Sequence, residues 1–419
     1  MVLVCSMLFF AYLCAMQRKY LLCLWVAIAS VVTSCEDAQL DDGLCSSKHF
    51  PRTVIVYMAA ENSLARYVET DSAEISVALP DIDENARVVL YIDDTKRGGS
   101  RICAGSRNFP MRQVKAYDRN ICSTDSADMS MVLHDIVRSF PSETYGLVFW
   151  SHASGWLFPS EGDTIIGRSS RRYSFGIDNG HRSTSDYGEK MSIPTLQNVL
   201  TTLPHFDFIF FDACFMQCVE VAYQLRSVCD YMLGSPAEIP GTGAPYHELI
   251  PALCSPVFDP DTALLKYFDY YNGGFNSHLY SGVELSAVRT SGLEALAEAT
   301  RPMVTRLFSD PQTLRLDDVQ KYRPGNSYDQ YPEFYDMRHL FALRATPEEF
   351  AAWDSVYQSV VTYHLSDIWY SAIPSGHFEV MRDVSKSGGL SIFVPLEKYI
   401  DNGWAEDYKK LDWYRKTKE

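Results

Sequence analysis

Tyr145-Gly-Leu-Val-Phe-Trp-Ser-His152 and Phe206-Asp-Phe-Ile-Phe-Phe-Asp-Ala-Cys214 are two apolar runs, each ending in a residue that can do chemistry. Continuous apolar runs of this length form strands buried on both faces, the kind found in parallel sheets. Parallel sheets bind and react at the carboxyl ends of their strands. If the two strands are neighbours, His152 and Cys214 emerge side by side at one edge. That is the minimum equipment for a thiol nucleophile and its proton partner.

The pattern on either side of these runs repeats strand and helix. Thr53–Met58 reads as a strand, followed by a turn at Ala59–Leu64 and a helix to about Leu79. Arg87–Ile92 is a second strand ending at Asp93-Asp94, and residues 95–120 read as a hairpin excursion. Ser126–Phe140 carries Met129, Leu133, Ile136 and Val137 at helical spacing, with Ser and Asp as cap candidates. Residues 157–190 form a long polar insertion. Ile193–Leu200 is a helix with Pro194 in its first turn. A helix from about Met216 to Val228, a strand at Asp230–Ser235 and a helix at Tyr246–Leu253 complete the alternation. This order predicts an α/β fold: a right-handed, mostly parallel sheet with helices on both faces, over residues 51–255. Beyond it, Val283–Val288 and Gly389–Val394 are strand candidates, and Leu293–Phe308 and Pro347–Ser366 helices. Residues 256–419 either continue the sheet or form a small appended subdomain.

The 419 residues are 47% hydrophobic and 21% charged, enough for a large core, with a formal net charge of −16. With no basic patch, nucleic-acid binding is disfavoured. Residues 1–34 read as a targeting segment: Gln17-Arg18-Lys19 is a basic region and Leu21–Val32 an apolar one. Val32-Thr33-Ser34-Cys35 resembles a bacterial lipobox, which makes Cys35 the lipidated first residue of the mature chain. Met16 is an alternative start, and a single signal-anchor helix reaching back to Met1 the competing reading. An acidic linker follows over residues 35–50. The chain from residue 35 carries 35 basic and 53 acidic residues, a net charge of −18, and eight cysteines. Outside the cytoplasm some could pair, and Cys103 with Cys122 is the best candidate. Sequence does not fix connectivity.

Cys214 sits where a strand is expected to hand over to a helix, so the helix N-terminus and the Cys214 amide would lower a thiol pKa and hold an oxyanion. The bland alternative is a buried structural thiol, and Cys218, one turn on, reads as packing. His152 ends its strand in Ser151-His-Ala-Ser-Gly-Trp156, a small-residue turn past which a substrate backbone could run. There the Ala153 amide could be a second oxyanion donor and His152 could protonate a leaving amine. His181 and His205 compete less well, and His247 is the serious rival. Asp212 shares a strand face with position 214 and could receive an Arg or Lys side chain, or else cap the following helix. A carboxylate beside a nucleophile opposes thiolate formation, so it suits a specificity pocket better than an activating role.

Phe211-Asp-Ala-Cys-Phe-Met-Gln-Cys-Val-Glu-Val-Ala-Tyr223 resembles the nucleophile segment of the clostripain family of cysteine peptidases, and Tyr145–Trp156 its histidine segment. Val56–Leu64, Ser235–Tyr246, Tyr335-Asp336 and Gly389–Pro395 resemble further landmarks in the same order, across residues 50–400. The family shares one three-layer α/β/α sandwich with caspases, gingipains and legumains. The resemblance implies an endopeptidase cutting after Arg or Lys, with Cys214 as nucleophile, His152 as its dyad partner and Asp212 lining the S1 pocket. Relatives are often self-cleaved between the His and Cys strands. Arg168, Arg171, Arg172 and Lys190 lie there, in either a zymogen loop or an ordinary basic surface loop.

Ala153 replaces a common glycine of the family, and Pro236-Ala237 departs from its polar pattern, which bears on the oxyanion geometry and the S1 wall. No cofactor is required. Some relatives use calcium, but no spaced acidic loop resembles a calcium site. The expectation is a monomer, lipid-anchored to the outer membrane on its periplasmic or outer side, acting on peptides or proteins. Two other classes compete: a catalytically silent surface lipoprotein that binds peptides, and a thiol transferase or hydrolase with a non-peptide substrate.

Overall fold

A computed structural model describes residues 49–94, 99–157, 174–180, 186, 188–273, 282–310, 314–323, 334–366, 369–371, 379–381, 383–399 and 403–418. The expected leader, Cys35, the acidic stretch up to residue 48, His181 and the arginines Arg168, Arg171 and Arg172 lie outside the described residues.

Nine strands form one sheet: β1 (Arg52–Ala60), β2 (Ala86–Asp94), β3 (Arg101–Ser106), β4 (Phe109–Ala116), β5 (Thr144–Trp150), β6 (Phe206–Asp212), β7 (Cys229–Gly234), β8 (Glu284–Arg289) and β9 (Val361–Leu365). Their order is β9-β8-β7-β6-β5-β1-β2-β3-β4. The five central strands, β7 to β2, are parallel, and an antiparallel pair closes each edge. Every strand of this sheet that precedes the insertion lies on one side of the β5–β6 seam, and every strand of it that follows the insertion lies on the other.

Strand alternation splits the core in two. Ile55, Tyr57, Leu147, Phe149, Ile209 and Phe211 face one layer, with the helices α2 (Ser126–Ser139), α3 (Ile193–Leu200) and α4 (Val219–Leu225). Val54, Val56, Val148, Trp150, Phe208 and Phe210 face the other, with α1 (Val68–Ala78), α5 (Tyr246–Leu253) and α6 (Pro260–Gly273). The result is a three-layer α/β/α sandwich. Each buried Phe or Leu contributes about 1.5–3 kcal/mol and each polar contact about 1 kcal/mol. Hydrophobic burial therefore fixes the β5–β6 pairing, and the polar groups at the strand ends ride on it.

Three elements differ from the sequence pattern. The helix expected from Met216 begins only at Val219, because the intervening residues bond elsewhere: Gln217 N–H to Ser235 O at 3.0 Å, and Ser391 N–H to Gln217 O at 3.1 Å. The helix expected to run to Ser366 stops at Val360, and Val361–Leu365 pairs antiparallel with β8 as an edge strand. Within the polar insertion, Phe175–Asp178 and Glu189–Met191 form a two-stranded ribbon, with Phe175, Ile177 and Met191 buried. Downstream, β8 and β9 belong to the main sheet, while Lys321–Arg323, Phe334–Asp336 and Ser391–Phe393 make a separate small sheet.

Candidate active site

β5 and β6 are parallel neighbours, and Trp150 is the partner of Asp212 on their last shared rung. His152 and Cys214 each lie two residues beyond that rung, at the same rim. The two loops also touch. Gly155 has φ +74°, and a Cβ there would lie 3.2 Å from Phe215 O and 3.1 Å from the Phe334 ring. The close approach of the loops thus depends on a glycine.

Cys214 is half-buried in a sharp turn. Phe215 follows with φ +62°, a conformation that costs a non-glycine residue roughly 1–3 kcal/mol. Its N–H bonds Ala237 O at 2.9 Å, and its ring packs against Phe334. The turn replaces the expected helix N-terminus. The helix starts five residues after Cys214, so its dipole is not the device that acts on the sulfur. Ile239 N–H instead donates to Cys214 Sγ at 3.5 Å. A donor at the sulfur favours thiolate over thiol. Cys218 is fully buried, and burial with the nearby Glu220 charge pushes its thiol well up, which fits packing.

The His152 loop is held by the ribbon. Gly176 N–H bonds His152 O at 2.9 Å, and Ser154 N–H bonds Ser174 O at 3.1 Å. In this antiparallel bridge Ala153 faces Phe175, and the pairing leaves the Ala153 amide out. On the imidazole, Nε2 lies 2.9 Å from Ser63 Oγ and 3.4 Å from Asp186 Oδ1. Burial raises the Asp186 carboxyl, but the His152 contact and the Ser63 N–H and hydroxyl outweigh it and hold it below the usual value. Neither Ser63 nor Asp186 stood out in the sequence. Ser63 is one polar residue in a turn, and Asp186 lies in a stretch without periodicity.

Asp212 is 3% exposed. The strand ends there and the chain bends, so the two-residue alternation does not carry through to Cys214. The carboxylate faces Trp150 and the α5–α6 layer, whereas Cys214 packs against the opposite layer. Asp212 caps no helix. Its oxygens accept from Ala244 N–H at 3.1 Å and Tyr246 Oη at 2.8 Å. Gly243 (φ +67°) lies so close that a Cβ would sit 2.9 Å from Asp212 Oδ2. Burial pushes the carboxyl up to about 6, against the pull of Ala244 and Tyr246. Asp71 on α1 accepts the Trp150 indole N–H at 2.8 Å, and burial and the Asp212 charge raise it to about 8. The Tyr267 hydroxyl is buried within electrostatic reach of Asp212, Asp71 and Cys214. Among the described residues, no Lys or Arg lies within ion-pair distance of Asp71 or Asp212.

The remaining candidates are dispersed. His247 sits on α5, with Nδ1 3.2 Å from Glu74, and His205 pairs with Asp230 at the amino end of β6. Lys190 lies half-buried inside the ribbon. Cys103 and Cys122 are free thiols on opposite layers: Cys103 packs with the α1 layer, and Cys122 approaches Thr124 on the other. Their expected pairing is not made. Among the described residues no three His, Cys, Asp or Glu side chains group to hold a metal ion.

A profile of the Clostripain family matches residues 56–419. Among solved structures, a secreted C11 cysteine protease from Bacteroides thetaiotaomicron, in complex with an irreversible peptide inhibitor, is 30% identical. That alignment covers 88% of this chain and 99% of the other, with a TM-score of 0.72. An inactive zymogen C11 protease from Parabacteroides distasonis is 26% identical, with 89% and 99% coverage and a TM-score of 0.73. A secreted C11 protease from Bacteroides thetaiotaomicron called iotapain shares the fold at 19% identity, 88% and 100% coverage and a TM-score of 0.72. No curated protein sequence matches the chain.

Proposed function

The chain belongs to the clostripain family and is a cysteine-type peptidase; from that premise we propose that Cys214 is the nucleophile and His152 its proton partner, in an endopeptidase that cuts after Arg or Lys. The observation that carries the reading is the shared rim: two loops that leave adjacent parallel strands at the same rung, in contact through Gly155 and Phe215. The Cys214 thiolate attacks the scissile carbonyl carbon and forms a C–S bond, and the carbonyl electrons move onto oxygen. The amides of Ala153 and Cys214 receive that oxyanion. The intermediate collapses to a thioester as the C–N bond breaks, and His152 delivers a proton to the leaving amine. Water then attacks the thioester as His152 takes its proton, and the C–S bond breaks to release the acid and restore the Cys214 thiolate beside a protonated His152. The chemistry uses the protein's own groups and no cofactor.

Asp212 supports the basic preference. Two buried carboxyls and a buried Tyr267 hydroxyl, with no Lys or Arg among the described residues beside the carboxyls, make an environment that a cationic side chain would complete. Self-cleavage in residues 157–190 is part of the proposal; the inactive zymogen among the relatives is consistent with it. Of the four candidate sites, Lys190 lies within the described residues, half-buried inside the ribbon. Relatives include a secreted protease, and among the described residues no helix is long and apolar enough to cross a membrane. Anchoring of a monomer through a lipid on Cys35 remains our proposal.

An acyloxymethylketone with a basic P1 residue should label the protein covalently, and Cys214→Ala should abolish the label. Equal labelling of the Ala variant would overturn the nucleophile assignment. Equal turnover of Arg, Lys, Asp and Ala amides would overturn the specificity.

A further inference from the structure

The imidazole of His152 is held by a second layer of groups outside the dyad. Ser63 Oγ lies 2.9 Å from His152 Nε2 and 3.1 Å from Asp186 Oδ2, while Ser63 N–H donates to Asp186 Oδ1 at 3.0 Å. A serine hydroxyl has one proton to give, and a carboxylate can only accept. The Ser63 hydroxyl proton therefore goes to Asp186, and its oxygen accepts a proton from Nε2–H. This assignment follows from the hydrogen-bond network. It leaves Nδ1 as the nitrogen free to trade a proton with the reaction.

The arrangement rests on a buried support. Ser63 opens a short 3-10 helix whose cap is Asn62, 0% exposed. The Asn62 amide donates to Ala59 O and to Ile177 O, both at 2.9 Å, and its oxygen accepts from Leu64 N–H at 2.9 Å. Asn179 bonds Glu61 O through both its backbone and side-chain nitrogens. Two chain segments, residues 59–64 and 177–179, thus fix one serine, and the serine fixes one carboxylate. Among the described residues, Asp186 is the only ionisable side chain within ion-pair distance of His152.

We propose that Asp186, acting through Ser63, is a positioning residue that holds His152 in the Nε2–H tautomer with Nδ1 turned to the reacting groups, and that its charge stabilises the imidazolium. The proposal rests on His152 being the proton partner of Cys214. Asp186 comes from the insertion, so the segment that carries the candidate processing sites also completes the site.

The test compares Asp186→Asn, Asp186→Glu and Ser63→Ala in the full chain, on a basic peptide amide, with His152→Ala alongside. Asp186→Asn should lower kcat about 10- to 100-fold, a part of what general acid–base catalysis contributes, with KM within about twofold. With the charge 3.4 Å from the imidazole removed, the alkaline limb of the kcat/KM profile should move to lower pH. Asp186→Glu should restore part of the rate, and Ser63→Ala should shift the same limb. If Asp186→Asn misfolds by circular dichroism, Ser63→Ala and Asp186→Glu decide the question alone. An unchanged profile, or higher activity in Asp186→Asn, overturns the proposal, the latter making Asp186 an inhibitory latch. If His152→Ala keeps full activity, the dyad itself fails; if it is dead while Asp186→Asn is silent, only the present inference fails.

Discussion

Two carboxylates flank the candidate site, and they are opposites. Asp212 ends a core strand, is 3% exposed, and burial pushes it up to about 6. Asp186 comes from the polar insertion, its side chain is 37% exposed, and the His152 and Ser63 contacts hold it low despite partial burial. Asp212 is placed by the hydrophobic pattern of β6 and costs stability when ionised. Asp186 is placed by three hydrogen-bonding groups and is ionised at no such cost. Position in the core makes a carboxylate receptive to an incoming cation, whereas contact with an imidazole makes it a fixed charge.

The largest effect tests whether both carboxylates serve one thiol. Cys214→Ala should reduce kcat/KM on basic amides by at least about 10⁴-fold, since a nucleophile removed from a hydrolase costs on that scale. Residual turnover above that level would detach both acids from the chemistry. Next, Asp212→Asn keeps an oxygen for Ala244 and Tyr246 but loses the charge. It should cost about 10²- to 10³-fold in kcat/KM for Arg or Lys amides, mainly through KM, and far less for neutral amides. A loss falling equally on neutral substrates would make Asp212 a structural tie. That contrast with Asp186→Asn, which should act on kcat, is the sharpest form of the comparison.

Stability gives a third probe. The Asp212 carboxyl is raised in the folded chain, so its protonated form is favoured there; its contribution is fully present below pH 4 and lost as pH rises through about 6. Asp212→Asn should therefore raise the unfolding free energy measured in urea at pH 7.5, by up to about 3 kcal/mol, with no gain below pH 4. A gain independent of pH would refute the charge argument. The smallest effect is Gly243→Ala, which forces a Cβ to 2.9 Å from Asp212 Oδ2 at a positive φ. It should destabilise by about 1–2 kcal/mol in urea denaturation.

The same contrast explains what the sequence revealed. β5 and β6 were legible because burial on both faces leaves unbroken apolar runs, and with them came His152, Cys214 and Asp212. The turn after Cys214 was read as helix because residues 216–218 have ordinary propensity; Ser235 and Ser391, distant in sequence, bond their backbone instead. The ribbon in the insertion rests on three buried apolar side chains among polar neighbours, too few to show a period. Asp186 and Ser63 meet across 123 residues through side-chain hydrogen bonds, which leave no mark on local composition. Cys103 and Cys122 looked paired because they flank a hairpin, but strand alternation sends Cys103 to the opposite face.

Because all main-sheet strands before the insertion lie on one side of the β5–β6 seam and all later main-sheet strands on the other, a nick in the insertion would yield two contiguous half-sheets. Each fragment would expose an unpaired ladder and a bare apolar wall if alone, so the pair would behave as an obligate heterodimer. His152 would belong to one polypeptide and Cys214 to the other.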